Sequence, residues 1–175
     1  MKTNIALIGF MGVGKTAVGK CLAEKLGKDF VELDALIERK AGKTIPRIFQ
    51  QDGEVAFREL EIEAAKEASE KKNVVIACGG GVVLNKINID RLRQESLLVY
   101  LKASPEVILR RTSSDTNERP LLDTANKALE VRELLKFRQP FYEKAADITI
   151  DTSKLDIDSV ANQIIAKVEA DESFA

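Results

Sequence analysis

The chain has 175 residues, 45% of them hydrophobic and 31% charged, with a net charge of -1. These values are typical of a single globular domain with a substantial core, and they give no general attraction to nucleic acid or to an anionic membrane surface. Because histidine is absent, Ser-His triads, histidine-ligated metal sites and the usual general base are excluded.

A first strand is predicted over residues 4–9, in the apolar run that begins the chain. This run superficially resembles a short signal peptide, but it stops at a glycine-rich segment with no small-residue cleavage pattern, and no 18 apolar residues occur together. Cys21 and Cys78 lie far apart with no CxxC spacing, so we expect two buried thiols rather than a disulfide or a zinc site. We therefore expect a cytoplasmic protein that is neither exported nor membrane-spanning.

The segment GFMGVGKT, from Gly9 to Thr16, fits the phosphate-binding pattern GxxxxGK[ST]. It follows the first strand and precedes a helix predicted over residues 15–26, which is the context that this pattern requires. Backbone N–H groups would surround phosphate oxygens, Lys15 would bridge the terminal phosphates, and the Thr16 hydroxyl would ligate Mg2+. We assign the contacts with a bound nucleotide here to Gly12, Val13, Gly14, Lys15, Thr16 and Ala17.

A second strand is predicted over residues 29–33, and it leads into Glu32-Leu33-Asp34. Strand alternation would put both carboxylates on one side of the chain, near the strand end where ligands bind in open α/β sheets. One carboxylate can support Mg2+ through water, and the other can hold an acceptor hydroxyl. The alternative role for Asp34 is a helix N-cap. Residues 41–53 do not fit the alternating pattern and are predicted to form a functional loop.

A helix is predicted over residues 54–72 and a third strand over residues 73–78, followed by three consecutive glycines. Gly79, Gly80 and Gly81 stand between apolar runs, so either they form a flexible loop or some other group approaches the backbone closely.

The remaining elements are predicted in the second half of the chain: a strand over 97–102, helices over 105–112 and 126–137, a strand over 147–151 and a helix over 158–169. The polar segment 112–125 resembles a mobile lid, with an ordinary surface loop as the alternative. Alternating strands and helices predict an α/β fold in three layers, with a mostly parallel sheet of five strands between helices.

Three arginines are candidates for contacts with anions. Arg58 has Glu61 three residues on, able to fix its guanidinium group, and Arg119 lies in the predicted lid beside Pro120. Arg138 is predicted to end a helix before a proline, where the helix dipole alone would also favour a cation. Each of the three, taken singly, is better explained as a solvated surface residue.

The rest of the chain narrows the class of phosphate-binding protein. The segment Asn85-Lys86-Ile87-Asn88 comes close to the base-reading motif of GTPases but ends without its carboxylate, and no switch segment precedes it. No run of four apolar residues followed by Asp-Glu, as in motor-type ATPases, occurs.

The motifs GFMGVGKT, FVELDALIE, GEVAFRELE, ACGGG, ERPLL and FRQPFY, in this order and at these intervals, closely resemble those of shikimate kinases, over about residues 5–168. The resemblance implies a small monomeric P-loop kinase, related in fold to nucleoside monophosphate kinases, with a five-stranded parallel sheet. It also implies transfer of the γ-phosphoryl group of ATP to the 3-hydroxyl of shikimate, with Mg2+ as cofactor.

The same resemblance implies a role for each matching position. Asp34 would hold the shikimate hydroxyls and accept the proton, and Arg58 and Arg138 would grip the carboxylate, so that the acceptor segment spans about residues 34–61. Lys15 and Arg119 would contact the transferred phosphoryl group, and Arg111 would stack on adenine. The backbone N–H groups of Gly79, Gly80 and Gly81 would face the acceptor. Glu32 stands where the family usually has Asp, and it would support Mg2+ through a water molecule.

Two other functions compete with this one. A gluconate or nucleoside monophosphate kinase would use the same phosphate-binding loop with another acceptor, which the three glycines and the Arg58/Arg138 pair disfavour. A regulatory nucleotide-binding protein would keep the loop but lack transfer activity.

Overall fold

A computed structural model describes residues 1–113 and 126–175. In this part of the chain five strands form one parallel sheet in the order β2-β3-β1-β4-β5, which confirms the predicted α/β fold. The central strand β1 is buried at all of its positions, as expected when helices cover both faces of a sheet. The strands are β1 (Asn4–Ile8), β2 (Asp29–Glu32), β3 (Val74–Ala77), β4 (Ser96–Lys102) and β5 (Ile148–Asp151).

The helices alternate with these strands along the chain. A single 3-10 turn, Val82–Leu84, follows the three glycines. In chain order the α-helices are α1 (Lys15–Leu26), α2 (Leu33–Ala41), α3 (Ile45–Gln51), α4 (Gly53–Ser69), α5 (Lys86–Glu95), α6 (Pro105–Ser113), α7 (Lys127–Ala145) and α8 (Ile157–Glu169). Within the described residues, no helix is long and apolar enough to cross a membrane.

The prediction of an irregular loop over residues 41–53 was wrong, because α3 lies inside this segment. The Thr44 hydroxyl caps the helix by accepting a hydrogen bond from Arg47 N (3.4 Å). Pro46 occupies the first turn, where its missing N–H costs no helical hydrogen bond. The proline that suggested a loop therefore marks the start of a helix. Helix α5, over Lys86–Glu95, was not predicted.

The geometric argument that linked Glu32 and Asp34 was also wrong. Strand β2 ends at Glu32, and α2 begins at Leu33, so the alternation of a strand does not relate the two carboxylates. Asp34 lies in the first turn of α2 and is not its N-cap, since Glu32 holds that position without a side-chain capping bond. The Asp34 side chain is therefore held by the first turn of a helix. A helical turn fixes its position more firmly than an irregular segment after a strand would.

Helix α7 was predicted to end at Arg138. It continues instead to Ala145, with Pro140 inside it. Its buried residues recur at helical spacing through this region: Val131, Leu135, Arg138, Tyr142 and Ala145. Packing of that stripe outweighs the hydrogen bond that proline removes. Arg138 is thus a buried residue in a helix interior, 2% exposed. Of the two cysteines predicted to be buried, Cys78 is buried and Cys21 only half-buried.

The parallel sheet brings three chain segments to one edge. The carboxyl ends of β2, β3 and β1 are adjacent, with Glu32 paired to Ala77 and Ala77 to Leu7 in register. The phosphate-binding pattern follows β1, helix α2 follows β2, and the three glycines follow β3. Ligands of open α/β sheets bind at this edge.

Candidate active site

The loop between β1 and α1 has the backbone conformation of a phosphate cradle. Gly12 has φ of 81°, and a Cβ atom there would lie 2.8 Å from Thr112 Cγ2, so only glycine fits. Gly14, with φ of 97°, is the N-cap of α1 and makes no side-chain capping bond. The first N–H groups of α1 therefore open toward the loop, where an anion is favoured.

The Lys15 ammonium group lies across this loop. Its Nζ donates hydrogen bonds to Gly9 O (2.6 Å) and Phe10 O (2.9 Å). Thr16 and Ala17 occupy the exposed first turn of α1, so the threonine hydroxyl is accessible at the mouth of the loop. The binding of a polyphosphate by these residues stays a prediction.

Arg111 joins the loop to the segment after β5. Its guanidinium donates to Val13 O (3.3 Å), to Thr152 Oγ1 (3.2 Å) and to Thr152 O (3.1 Å). Thr152 itself is anchored to β4, since its N and Oγ1 both donate to Lys102 O. Arg111 therefore lies against the loop, and Thr152, which sequence reasoning missed, holds it there.

The three glycines form a turn against which the side chains of the predicted acceptor site pack. A Cβ atom on Gly79 would lie 3.1 Å from Asp34 Oδ1 and 3.3 Å from Glu61 Oε2. The approach at Gly81 is closer still, since a Cβ atom there would lie 2.6 Å from Arg58 Nη2. Of the two interpretations left open by the sequence, the close approach to the backbone is therefore correct, and side chains of the site itself make it.

Arg58 and Glu61 pair on one face of α4, as their spacing predicted. Arg58 Nη1 donates to Glu61 Oε1 at 3.0 Å, and Arg58 Nη2 lies 3.4 Å from Glu54 Oε1. The Glu61 side chain is 1% exposed, and its Oε2 has no hydrogen-bond partner among the described residues. Burial raises the pKa of Glu61, an effect that the charge of Arg58 opposes.

Arg138 reaches the same turn from α7. Its guanidinium carbon lies 5.9 Å from the ring centroid of Phe10, and its Nη1 would be 3.2 Å from a Cβ atom on Gly80. Arg138 Nε is buried without a hydrogen-bond partner in the described part of the chain. Two arginines thus converge on one glycine turn, where the carboxylates of Asp34 and Glu61 also lie.

Sequence reasoning also missed Tyr142. Its phenol donates to Gly80 O at 2.5 Å, and the side chain is fully buried. The available signal was its spacing, because Tyr142 lies four residues after Arg138 and therefore on the same helix face. The apparent helix end at Pro140 hid this relation.

The lid predicted over residues 112–125, including Arg119, lies outside the described residues except for Thr112 and Ser113, which belong to α6. Glu32 ends β2 at the same sheet edge as the phosphate loop. Its carboxylate and the Thr16 hydroxyl supply the hard oxygen atoms that Mg2+ prefers, and Mg2+ commonly binds through one or two such groups together with water and phosphates. This donor set fits magnesium. No group of three or more Cys, Asp or Glu side chains that could hold a metal ion occurs in residues 1–113 and 126–175.

Comparisons with known proteins agree with this geometry. The family model for shikimate kinase matches residues 11–169. A shikimate kinase of Caldanaerobacter subterraneus subsp. tengcongensis is 50% identical over 162 residues, covering 93% of this chain and 94% of the relative. The shikimate kinase of Thermodesulfovibrio yellowstonii is 49% identical, with 95% of each chain covered. The solved shikimate kinase from Acinetobacter baumannii in complex with shikimate has a TM-score of 0.93 and 41% identity, covering 98% of this chain and 96% of that one.

Proposed function

Because the chain belongs to the shikimate kinase family and is an ATP-dependent kinase, we propose that it transfers the γ-phosphoryl group of ATP to the 3-hydroxyl of shikimate. The products are shikimate 3-phosphate and ADP, which places the reaction in the biosynthesis of chorismate and aromatic amino acids. The observation that carries the proposal is the glycine turn, against which Asp34, Arg58 and Arg138 all pack. These side chains match a hydroxylated carboxylic acid. The carboxylate can accept a hydroxyl proton, and the two guanidinium groups can bind the carboxylate of the acid.

On the acceptor side, Arg58 and Arg138 bind the shikimate carboxylate. Charge-assisted hydrogen bonds from guanidinium groups suit a planar carboxylate. Glu61 fixes the orientation of Arg58 through the 3.0 Å hydrogen bond. The backbone N–H groups of the turn Gly79–Gly81 border the acceptor, where a side chain would exclude it.

Asp34 holds the reacting hydroxyl and accepts its proton. The hydroxyl oxygen attacks the γ-phosphorus of ATP, a new P–O bond forms, and the bond to the leaving ADP oxygen breaks. This chemistry needs mainly positioning and neutralisation of charge. Lys15, held close by Gly9 O and Phe10 O, moves to the terminal phosphates when the nucleotide binds.

On the nucleotide side, the loop residues Gly12, Val13 and Gly14, with Thr16 and Ala17 of α1, bind the phosphates of ATP. Arg111 lies beside adenine, and Arg119 contacts the transferred phosphoryl group. Thr16 and, through water, Glu32 would hold Mg2+, which would supply neutralisation of the negative charge that develops on the phosphate groups.

We further propose that the enzyme works as a cytoplasmic monomer on small-molecule substrates, without nucleic acid or membrane partners. Its support is the net charge of -1, which gives no general attraction to nucleic acid or an anionic membrane, and the two cysteine thiols, which suit a reducing compartment; the monomeric state is what the family resemblance implies.

The test is to measure acceptor-dependent ADP release by the purified protein with ATP and Mg2+. Shikimate is compared with gluconate, AMP and CMP in parallel, and chelation of Mg2+ is the control for the metal. We expect release with shikimate alone, and its loss on chelation. Activity only with another acceptor would keep the phosphate cradle and refute the assignment of Arg58, Arg138 and the glycine turn.

A further inference from the structure

The phenol of Tyr142 lies behind the glycine turn, on the side away from the solvent. Its oxygen donates to Gly80 O at 2.5 Å, and Arg138, four residues earlier on the same buried face of α7, is its neighbour. The ring stacks on Tyr100, with centroids 5.1 Å apart and planes inclined by 25°. One buried side chain on α7 therefore contacts both the backbone of the turn and one of its two arginines.

Gly80 also lies close to the phosphate cradle. A Cβ atom on Gly80 would lie 3.6 Å from Met11 N and 3.7 Å from Gly9 O, as well as 3.2 Å from Arg138 Nη1. The turn thus stands between the loop that binds phosphates and the guanidinium that binds the acceptor. A group that holds Gly80 in place therefore also sets the distance between the acceptor and the phosphates of the nucleotide.

We propose that Tyr142 is a positioning residue for phosphoryl transfer, whose phenol holds the Gly80 carbonyl and the Arg138 guanidinium in a single arrangement and so sets the acceptor against the phosphate cradle. The inference rests on the proposed function. Tyr142 touches neither substrate, so it acts only through Gly80 and Arg138.

The hydroxyl group, rather than the ring, carries this role. The ring packs in the core, with Tyr142 0% exposed, and phenylalanine would preserve that packing. Burial raises the pKa of Tyr142, so the phenol keeps its proton across the working pH range and remains a donor to Gly80 O. Without it, a backbone carbonyl would be left unsatisfied, and Arg138, whose Nε already lacks a partner among the described residues, would lose a polar neighbour.

Tyr142→Phe is the direct test, and Tyr100→Phe is its matched control. Both variants remove one hydroxyl from a buried ring of the same stacked pair, but no hydrogen bond joins the Tyr100 hydroxyl to the glycine turn among the described residues. In Tyr142→Phe we expect the shikimate KM to rise about 5- to 50-fold while the ATP KM stays within about 2-fold. Tyr100→Phe should leave both constants within about 2-fold of wild type.

A second measurement needs neither substrate. Amide hydrogen exchange in residues 79–84 of the substrate-free protein should be about 10-fold faster in Tyr142→Phe than in Tyr100→Phe, because local opening follows the lost hydrogen bond. Equal exchange in the two variants, or equal kinetics despite a lower Tm in Tyr142→Phe, would reduce Tyr142 to an ordinary core residue and overturn the proposal.

If Tyr142→Phe does not fold, the tyrosine content of the chain offers another route. The chain has two tyrosines, so in Tyr100→Phe the Tyr142 phenol is the sole tyrosine and can be followed by carbon-13 labelling of tyrosine Cζ. The chemical shift of this carbon should change when shikimate is added. An unchanged chemical shift at saturating shikimate would refute the proposal. Failure of the proposed function can be distinguished from failure of this inference. In that case the wild-type protein would be inactive with shikimate, but amide exchange would still report whether the Tyr142 phenol restrains Gly80.

Discussion

A single methyl group at Gly81 should disable the acceptor side without straining the backbone. Gly81 has φ of -98° and ψ of 6°, a conformation that alanine adopts. A Cβ atom there would nevertheless lie 2.6 Å from Arg58 Nη2 and 2.7 Å from Arg58 Cζ, separations that non-bonded atoms do not maintain. In Gly81→Ala the Arg58 guanidinium must therefore leave its position.

The size of the effect follows from the hydrogen bonds that Arg58 would lose, one to Glu61 and one to the substrate. Its hydrogen bond to Glu61 Oε1 at 3.0 Å would break, and the Glu61 carboxylate, 1% exposed, would keep no charged partner on α4. A charge-assisted hydrogen bond to the substrate contributes about 1.5–3 kcal/mol. Displacing Arg58 should thus raise the shikimate KM by about 10- to 150-fold, as Arg58→Ala should.

A double-mutant cycle in steady-state kinetics separates this mechanism from a general disturbance. If the methyl group acts by displacing Arg58, Gly81→Ala should add little to Arg58→Ala, and the coupling free energy should be about as large as the single effect. The ATP KM serves as the internal control and should stay within about 2-fold. Additive effects, or a Gly81→Ala enzyme with an unchanged shikimate KM, would refute the reasoning.

Three further predictions concern single residues. Asp34→Asn should lower kcat by about 100- to 10,000-fold with a near-normal ATP KM, and unchanged turnover would remove its assignment as base. Arg111→Ala should raise the ATP KM by about 5- to 50-fold and leave that of shikimate unaltered; the reverse pattern would contradict its place on the nucleotide side. Because burial raises the pKa of Glu61, the folded protein holds that proton more tightly than the unfolded chain, so stability is lost as pH rises above about 4.5. The Tm of Glu61→Gln relative to that of wild type should therefore increase as pH rises above about 4.5, and a relative Tm that increases toward acidic pH would refute this sign.

The phosphate loop and the glycine turn were predictable because the backbone conformations and close approaches found there require glycine, which is visible in the sequence. Gly12 and Gly14 have positive φ, and a run such as Gly79–Gly81 between apolar segments points to a close approach. The sheet was predictable for a similar reason, since strands buried on both faces are apolar at every position. These signals need no knowledge of distant parts of the chain.

The errors arose where packing between distant segments decides local structure. Pro140 argued for a helix end, but the buried stripe that includes Arg138 and Tyr142 holds α7 together through it. The contact of Arg58 with Gly81 joins α4 to the end of β3, and no spacing within either segment encodes it. The pair Arg58 and Glu61 was predictable because both residues lie on one helix.

The unsatisfied atoms of the acceptor side give the arrangement a thermodynamic logic. Glu61 Oε2 and Arg138 Nε are buried without hydrogen-bond partners among the described residues, and each such group costs about 1–3 kcal/mol. A core built for stability alone would replace them with apolar side chains. Their retention around Gly79 and Gly80 makes sense if a polar ligand completes them. An acceptor that lacks a carboxylate or the matching hydroxyls would leave these groups unpaired, so the same atoms that weaken the empty protein would make it selective.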